Sequence, residues 1–194
     1  TPGEPLTPGE PLTPGEPLTP GEPLTPGEPL TPGGPDPYAV ARAIVLRQLT
    51  LGPRSRAQLE RKLAERDSDP EIARVVLDRM AEVGLVDDTA YAQTLVQSRH
   101  RTKGLSAAAL HRELREKGVD RDIARSAVGA IDDESERARA EALVARKLPT
   151  MGGLDPQVQA RRLAAMLARK GYGSGVTYAV VRDAVNAAAE HRRD

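Results

Sequence analysis

The chain's only imidazoles are His100, His111 and His191, and their settings leave them little chemistry to do. None belongs to an HExxH pair, and a chain with no cysteine offers no thiolate to join them as nucleophile or ligand. His100 and His111 are expected on helix surfaces. Two acidic runs, Asp87-Asp88 and Asp132-Asp133-Glu134, have the composition of a hard-cation site. Both stand where a helix should begin, however, and carboxylates there meet exposed N–H groups and the positive end of the helix dipole, so capping is their expected role. Gly152-Gly153 and Gly171-Tyr172-Gly173 lack the Gly-Lys-Ser/Thr step and the preceding strand of a phosphate-binding loop. The sequence therefore predicts a protein that is not an enzyme and needs no metal or cofactor.

The chemistry that remains is cationic. Arg99, Arg101 and Lys103 precede Gly104, and Arg112, Arg115 and Lys117 precede Gly118. Upstream, Arg54, Arg56, Arg61, Lys62 and Arg66 form a similar group; downstream, Arg161, Arg162, Arg169 and Lys170 form another. Cations in a last helical turn complement the dipole, and Glu65, Glu113 and Glu116 interleave with several of them as ordinary surface pairs. Recurrence in three places is what lifts the group above a solvated face: it predicts a discontinuous basic strip able to reach phosphates or an acidic protein surface.

The elements that would carry this strip are legible from punctuation. Asp36-Pro37 supplies an N-cap and a first-turn proline, after which Val40/Ala41, Ile44, Val45 and Leu49 share one face until Gly52. Ser55 with Gln58 forms a capping box ahead of Leu59 and Leu63. Asp69-Pro70 starts a third helix with Ile72, Val75, Val76, Met80 and Val83 inward, ending at Gly84. Asp88 is the expected cap of a fourth, carrying Tyr91, Leu95 and Val96 inward to Gly104. Ser106 begins a fifth with Leu110 and Leu114, and Asp120 a sixth with Ile123, Ala127, Val128 and Ile131.

The second set of three repeats the first. Over residues 55–74 and 106–125, ten of twenty positions are identical at a spacing of 51, including Ser55/Ser106, Leu59/Leu110, Leu63/Leu114 and Asp69/Asp120. A more divergent copy follows: Leu163, Leu167, Lys170 and Gly171 lie 53 residues beyond Leu110, Leu114, Lys117 and Gly118, after an Asp155-Pro156 start. Its flanking helices are expected from about Glu134 to Leu148 and from about Ser174 to Ala189, with 148–155 (LPTMGGLD) as the one loose joint. No hairpin signal occurs anywhere. The expected fold is all-α: three tandem three-helix repeats, at 36–87, 88–133 and 134–190, forming an elongated, curved body.

Residues 1–35 are set apart. TPGEPL is written five times before TPGGP, and each unit has two prolines, one glycine and a single leucine, so no apolar face exists to offset the entropy of ordering. This tail is expected to be disordered, partly polyproline II, with a reach of roughly 100 Å. It could serve as a binding tail or a phosphorylatable Thr-Pro array; an expanded repeat acting as spacer is the simpler reading. It also hides charge. The formal net charge is zero, but the tail holds Glu4, Glu10, Glu16, Glu22 and Glu28, which leaves 23 acidic against 28 basic residues in the body. The absence of cysteine fits a reducing cytoplasm, and no apolar run approaches the ~20 residues of a membrane span.

Residues 84–120, GLVDDTAYAQTLVQSRHRTKGLSAAALHRELREKGVD, closely resemble the signature of the RecX family of bacterial recombination regulators. The pattern is carried by Gly84, Leu85, Val86, Asp88, Tyr91-Ala92, Arg99, Lys103-Gly104, Leu114 and Lys117-Gly118-Val119, with Tyr91 where the family usually has phenylalanine. Weaker similarity extends over 37–190. The resemblance implies a cytoplasmic, monomeric modulator of the RecA recombinase that binds RecA and its filament on single-stranded DNA, limiting extension, ATP hydrolysis, strand exchange and co-protease action in DNA repair and the SOS response. On that reading Arg99, Arg101, Lys103, Arg112, Arg115, Lys117, Arg61, Lys62, Arg169 and Lys170 are the candidates for contacting RecA or nucleic acid. Two other classes fit three-helix units with basic residues: a helix-turn-helix transcription regulator, whose recognition helix should present Arg, Asn or Gln to bases, and a pure helical scaffold. The third helices, DPEIARVVLDRMAEV and DRDIARSAVGAI, are too apolar and acidic for base readout.

Overall fold

A computed structural model describes residues 36–190; the TPGEPL tail expected to be disordered, and His191, lie outside the described residues. The described chain contains α1 (Pro37–Thr50), α2 (Arg56–Ala64), α3 (Pro70–Glu82), α4 (Asp88–Lys103), α5 (Ala107–Glu116), α6 (Arg121–Val128), α7 (Asp133–Lys147), a 3-10 turn (Leu148–Met151), α8 (Pro156–Arg169) and α9 (Ser174–Glu190), with no strand among them. The substantial helix packings all fall within α1–α3, within α4–α6, or within α7–α9 and its 3-10 turn.

Each set has its own core. The first is built on Ala41, Val45, Leu59, Leu63, Val76, Leu77 and Met80, the second on Ala92, Val96, Leu110, Leu114, Val119, Ala124 and Ala127. The third uses Leu143, Val144, Met151, Leu163, Leu167, Tyr172, Val180, Val181 and Val185. The leucines shared by the repeats, at 59, 63, 110, 114, 163 and 167, are all fully buried. Removing either leucine of one middle helix would cost about 2–5 kcal/mol, because each fills the centre of a small core with few neighbours able to collapse.

The caps follow the punctuation closely. Asp36, Asp69, Asp120 and Asp155 accept hydrogen bonds from N–H groups of the first turn of α1, α3, α6 and α8. Ser55 and Gln58 form the reciprocal capping box of α2, and the Asp132 carboxylate accepts from the Ser135 N–H at 2.7 Å. The one displaced cap is in α4. Asp87, not Asp88, has the extended backbone and accepts from Thr89 and Ala90 N–H at 2.8 and 2.9 Å. Asp88 is thereby released for a contact outside its own helix.

Four further expectations are corrected. Val75 and Val83 do not join Val76 and Met80 in the core; they are 39% and 52% exposed, since α3 is covered by α1 and α2 on one side only and Val83 is already its C-cap. Val40 likewise faces outward while Ala41 and Val45 are buried. The 148–155 segment is not loose: its 3-10 turn buries Met151, and the Gln159 side-chain amide donates to the carbonyls of Met151 and Leu154 at 2.8 and 3.0 Å. His100 and His111 are half-buried rather than on open surface, and His100 Nδ1 is hydrogen-bonded with the Leu105 carbonyl at 2.9 Å.

Candidate RecA or nucleic-acid interface

The ends of the middle helices, where the basic residues cluster, are also where one three-helix set meets the next. Gly118 follows α5 with φ +79°, and Ser55 Oγ at the start of α2 donates to the Lys117 carbonyl at 2.6 Å. A Cβ on Gly118 would lie 2.4 Å from the Ala57 Cβ. The same device recurs one unit on. Gly171 follows α8 with φ +89°, the Ser106 N–H donates to the Lys170 carbonyl at 3.0 Å, and a Cβ on Gly171 would lie 2.6 Å from Ser106 Oγ and 2.7 Å from the Ala109 Cβ. Each seam also borrows a carboxylate as a cap from the following set. Asp88 accepts from the Arg56 N–H at 2.8 Å, and Glu136 accepts from the Ala107 N–H at 2.7 Å. Orphan N–H donors of α2 and α5 are thus satisfied from outside their own helix.

The second seam carries one more set of bonds. The C-terminal carbonyls of α4 accept side chains from the third set: Arg139 on the Arg101 carbonyl, Lys170 on the Lys103 carbonyl, and Tyr172 Oη on the Gly104 carbonyl at 3.2 Å. Burial pushes the Tyr172 phenol up to about 12, with the Glu136 carboxylate adding to the shift. Lys170 is held below the ordinary lysine value, first by burial and then by the nearby guanidinium groups of Arg146 and Arg139. Gly104, in the left-handed conformation at φ +60°, sits against the Leu143 side chain.

The candidate cations divide by whether a carboxylate neutralises them. Lys62 pairs with Glu65 at 2.5 Å, while Arg99 and Lys117 share Glu113 at 3.4 and 3.9 Å. Arg61 points its guanidinium to the Lys117 carbonyl at 3.5 Å. Among the described residues Arg101, Lys103, Arg112, Arg115, Arg169 and Lys170 make no ion pair, and all but Lys170 are exposed. The residues of the 84–120 motif are mostly structural: Ala92 and Leu114 are core, Gly84, Gly104 and Gly118 take positive φ, and Asp88 serves the first seam. Half-buried Tyr91 lies in the same cluster as a flanking ring, its phenol raised chiefly by burial.

Arg139, Arg146 and Lys147 on α7 were not among the sequence candidates. The third repeat matches the others in sequence only along its middle helix, so its first helix has no register from them; the available signal is Arg146 and Lys147 falling seven and eight residues beyond Arg139, close to one helix face. No group of three or more acidic or histidine side chains suited to a metal occurs among the described residues, and no described helix is long and apolar enough to cross a membrane.

Comparison with known proteins matches all three sets. The models of the first, second and third RecX three-helix domains match residues 41–80, 87–128 and 134–181. A regulatory protein RecX of Thermobifida fusca is 47% identical over 152 residues, covering 78% of this chain and 82% of that one; one from Streptomyces coelicolor is 50% identical over 155 residues, covering 80% and 82%. The crystal structure of RecX from Lactobacillus salivarius superposes with a TM-score of 0.68 at 18% identity, covering 76% of this chain and 96% of that one. Fold, repeat organisation and sequence agree across all three sets, and the chain belongs to the RecX family of regulatory proteins.

Proposed function

We propose that this chain binds RecA and RecA filaments on single-stranded DNA, and limits filament extension and the ATP hydrolysis, strand exchange and co-protease activity that depend on it. The observation that carries this reading is that Arg101, Lys103, Arg112 and Arg115, at the end of α4 and along α5, are exposed and form no ion pair among the described residues. A repeat protein with separate small cores and cations set at intervals suits docking along a polymer better than enclosing a small molecule. The role is non-enzymatic, cytoplasmic and monomeric in this proposal, and Arg61, Lys62, Arg99, Lys117, Arg169 and Lys170 supplement the four free cations. Base readout by a helix-turn-helix is disfavoured because Arg74, Arg79 and Arg125 on the third helices are each engaged by an acidic neighbour.

The test is the ATPase of purified RecA on single-stranded DNA. Wild-type chain should suppress hydrolysis, and the Arg101→Ala, Lys103→Ala, Arg112→Ala, Arg115→Ala combination should need at least about tenfold more protein for the same suppression, with a shallower dependence on salt. Equal suppression by the wild type and the fourfold variant would refute the assignment of the site. No suppression by wild type would refute the function.

A further inference from the structure

In the third set, two cations of the sequence strip, Arg162 and Arg169, meet Lys147 of α7 around a cavity. It has a volume of about 320 Å³ and opens between the end of α7, the 3-10 turn and one face of α8; Lys147, Thr150, Arg162, Met166 and Arg169 line it. Its three cations are exposed, and none of them pairs with a carboxylate among the described residues. Dipole complementarity accounts for Lys147 and Arg169, which sit in last turns. It does not account for Arg162, which is mid-helix.

Comparison with the second set explains why the cavity is unneutralised. Met166 lies 53 residues beyond Glu113, the carboxylate that engages both Arg99 and Lys117 on α5. Arg169 likewise replaces Glu116, and α8 contains no acidic residue from Pro156 to Arg169. Of the three middle helices α8 alone carries no carboxylate, while α2 keeps Glu60 and α5 keeps Glu113 and Glu116. Nearby, Arg146 and Arg139 already repel Lys170. Concentrating positive charge this way opposes folding unless an anion offsets it.

We propose that this cavity is a phosphate oxyanion site, with Lys147, Arg162 and Arg169 as its donors, and that the oxyanion it takes is a backbone phosphodiester of single-stranded nucleic acid. A guanidinium offers two parallel N–H donors to two phosphate oxygens, and Arg162 and Arg169, two turns apart on α8, present two such forks along one wall. This deepens the functional reading by placing the nucleic-acid contact on the third set. The first seam is no such site, because Glu113 occupies its cations.

The experiment uses the full chain and a fluorescein-labelled oligothymidine, read by anisotropy over a salt series. Arg162→Gln with Arg169→Gln should weaken binding about five- to tenfold and lower the log–log salt slope by about 1.4, the value for two single-strand phosphate contacts. Met166→Glu, which restores the carboxylate of the second set, should weaken binding comparably without removing a cation. The control, Arg74→Gln with Arg125→Gln, makes the same change in net charge far from the cavity and should alter affinity less than about twofold. Equal losses in the control and cavity variants would mean diffuse charge and overturn the site. If oligothymidine binding were unaffected while pyrophosphate raised the melting temperature of wild type but not of the cavity variants, the oxyanion would belong to a free phosphate compound, and the strand assignment would fall. The RecA ATPase assay is independent of both: loss of suppression there with cavity-dependent anisotropy intact removes the regulatory reading and leaves the site.

Discussion

Replacing Gly118 by alanine tests whether the sets are joined by close backbone approach or merely tethered. Two costs add at this position. Alanine at φ +79° is strained by roughly 1–2 kcal/mol. Its methyl would also meet the Ala57 methyl at 2.4 Å, and since both are rigidly attached to backbone the seam must open, at about 1–3 kcal/mol for overpacking. Gly84 isolates the first cost, because it has φ +73° and nothing within 4 Å of its Cβ position. Urea unfolding followed by circular dichroism should therefore place Gly118→Ala about 1–3 kcal/mol below Gly84→Ala. Adding Ala57→Gly should recover the clash and leave the strain, giving a favourable coupling energy of the same size in a double-mutant cycle. Ala57 is in the first turn of α2, so its own replacement costs no more than about 1 kcal/mol. If Gly118→Ala matches Gly84→Ala, or if Ala57→Gly fails to rescue it, the seam is not closely packed and this account of how the repeats are joined is wrong.

Two other outcomes follow from the seams. Asp88→Ala and Glu136→Ala each leave an N–H at the start of α2 or α5 without its acceptor, and each should lower stability by about 1 kcal/mol in the same urea assay, whereas Asp122→Ala on the exposed face of α6 should change little. Tyr172 supplies a pH dependence. Its folded pKa of about 12 lies above the ordinary 10.0, so the protonated phenol favours the folded state; that contribution is complete below pH 10 and is lost as pH rises through 12. Tyr172→Phe should flatten the stability loss across that window, and absorbance at 295 nm should show one phenol fewer titrating near 12; an unchanged alkaline profile would contradict the burial of this hydroxyl against the Gly104 carbonyl.

Local chemistry was legible in the sequence and long-range chemistry was not. Asp-Pro at 36–37, 69–70 and 155–156 announces a helix start because cap and first-turn proline act within three residues. The buried leucine pairs could be found because they recur at a fixed spacing in every copy. Asp88 could not be told from Asp87 by type, since either can cap; the choice is made by the Arg56 N–H on another helix. LPTMGGLD looks like a loop from composition, and what orders it is Gln159, a polar residue whose burial no local pattern signals. Of the candidate site, the cations were visible, but which of them are neutralised depended on Glu113 reaching across from α5 to α4.

The residues at the start of each middle helix explain both how the tandem is held and how its third copy differs. Ser55 and Ser106 are small and buried, the Ser55 hydroxyl and the Ser106 N–H each donate to a carbonyl of the next set, and Ala57 and Ala109 leave room for its glycine. At the corresponding places α8 has Gln159, Arg161 and Arg162. Gln159 turns inward to fasten the 3-10 turn, and two long cationic side chains stand where a seam would require methyl groups. Of these, Arg162 also lines the cationic cavity, joined there by Arg169 two turns along α8, a helix with no carboxylate to neutralise either.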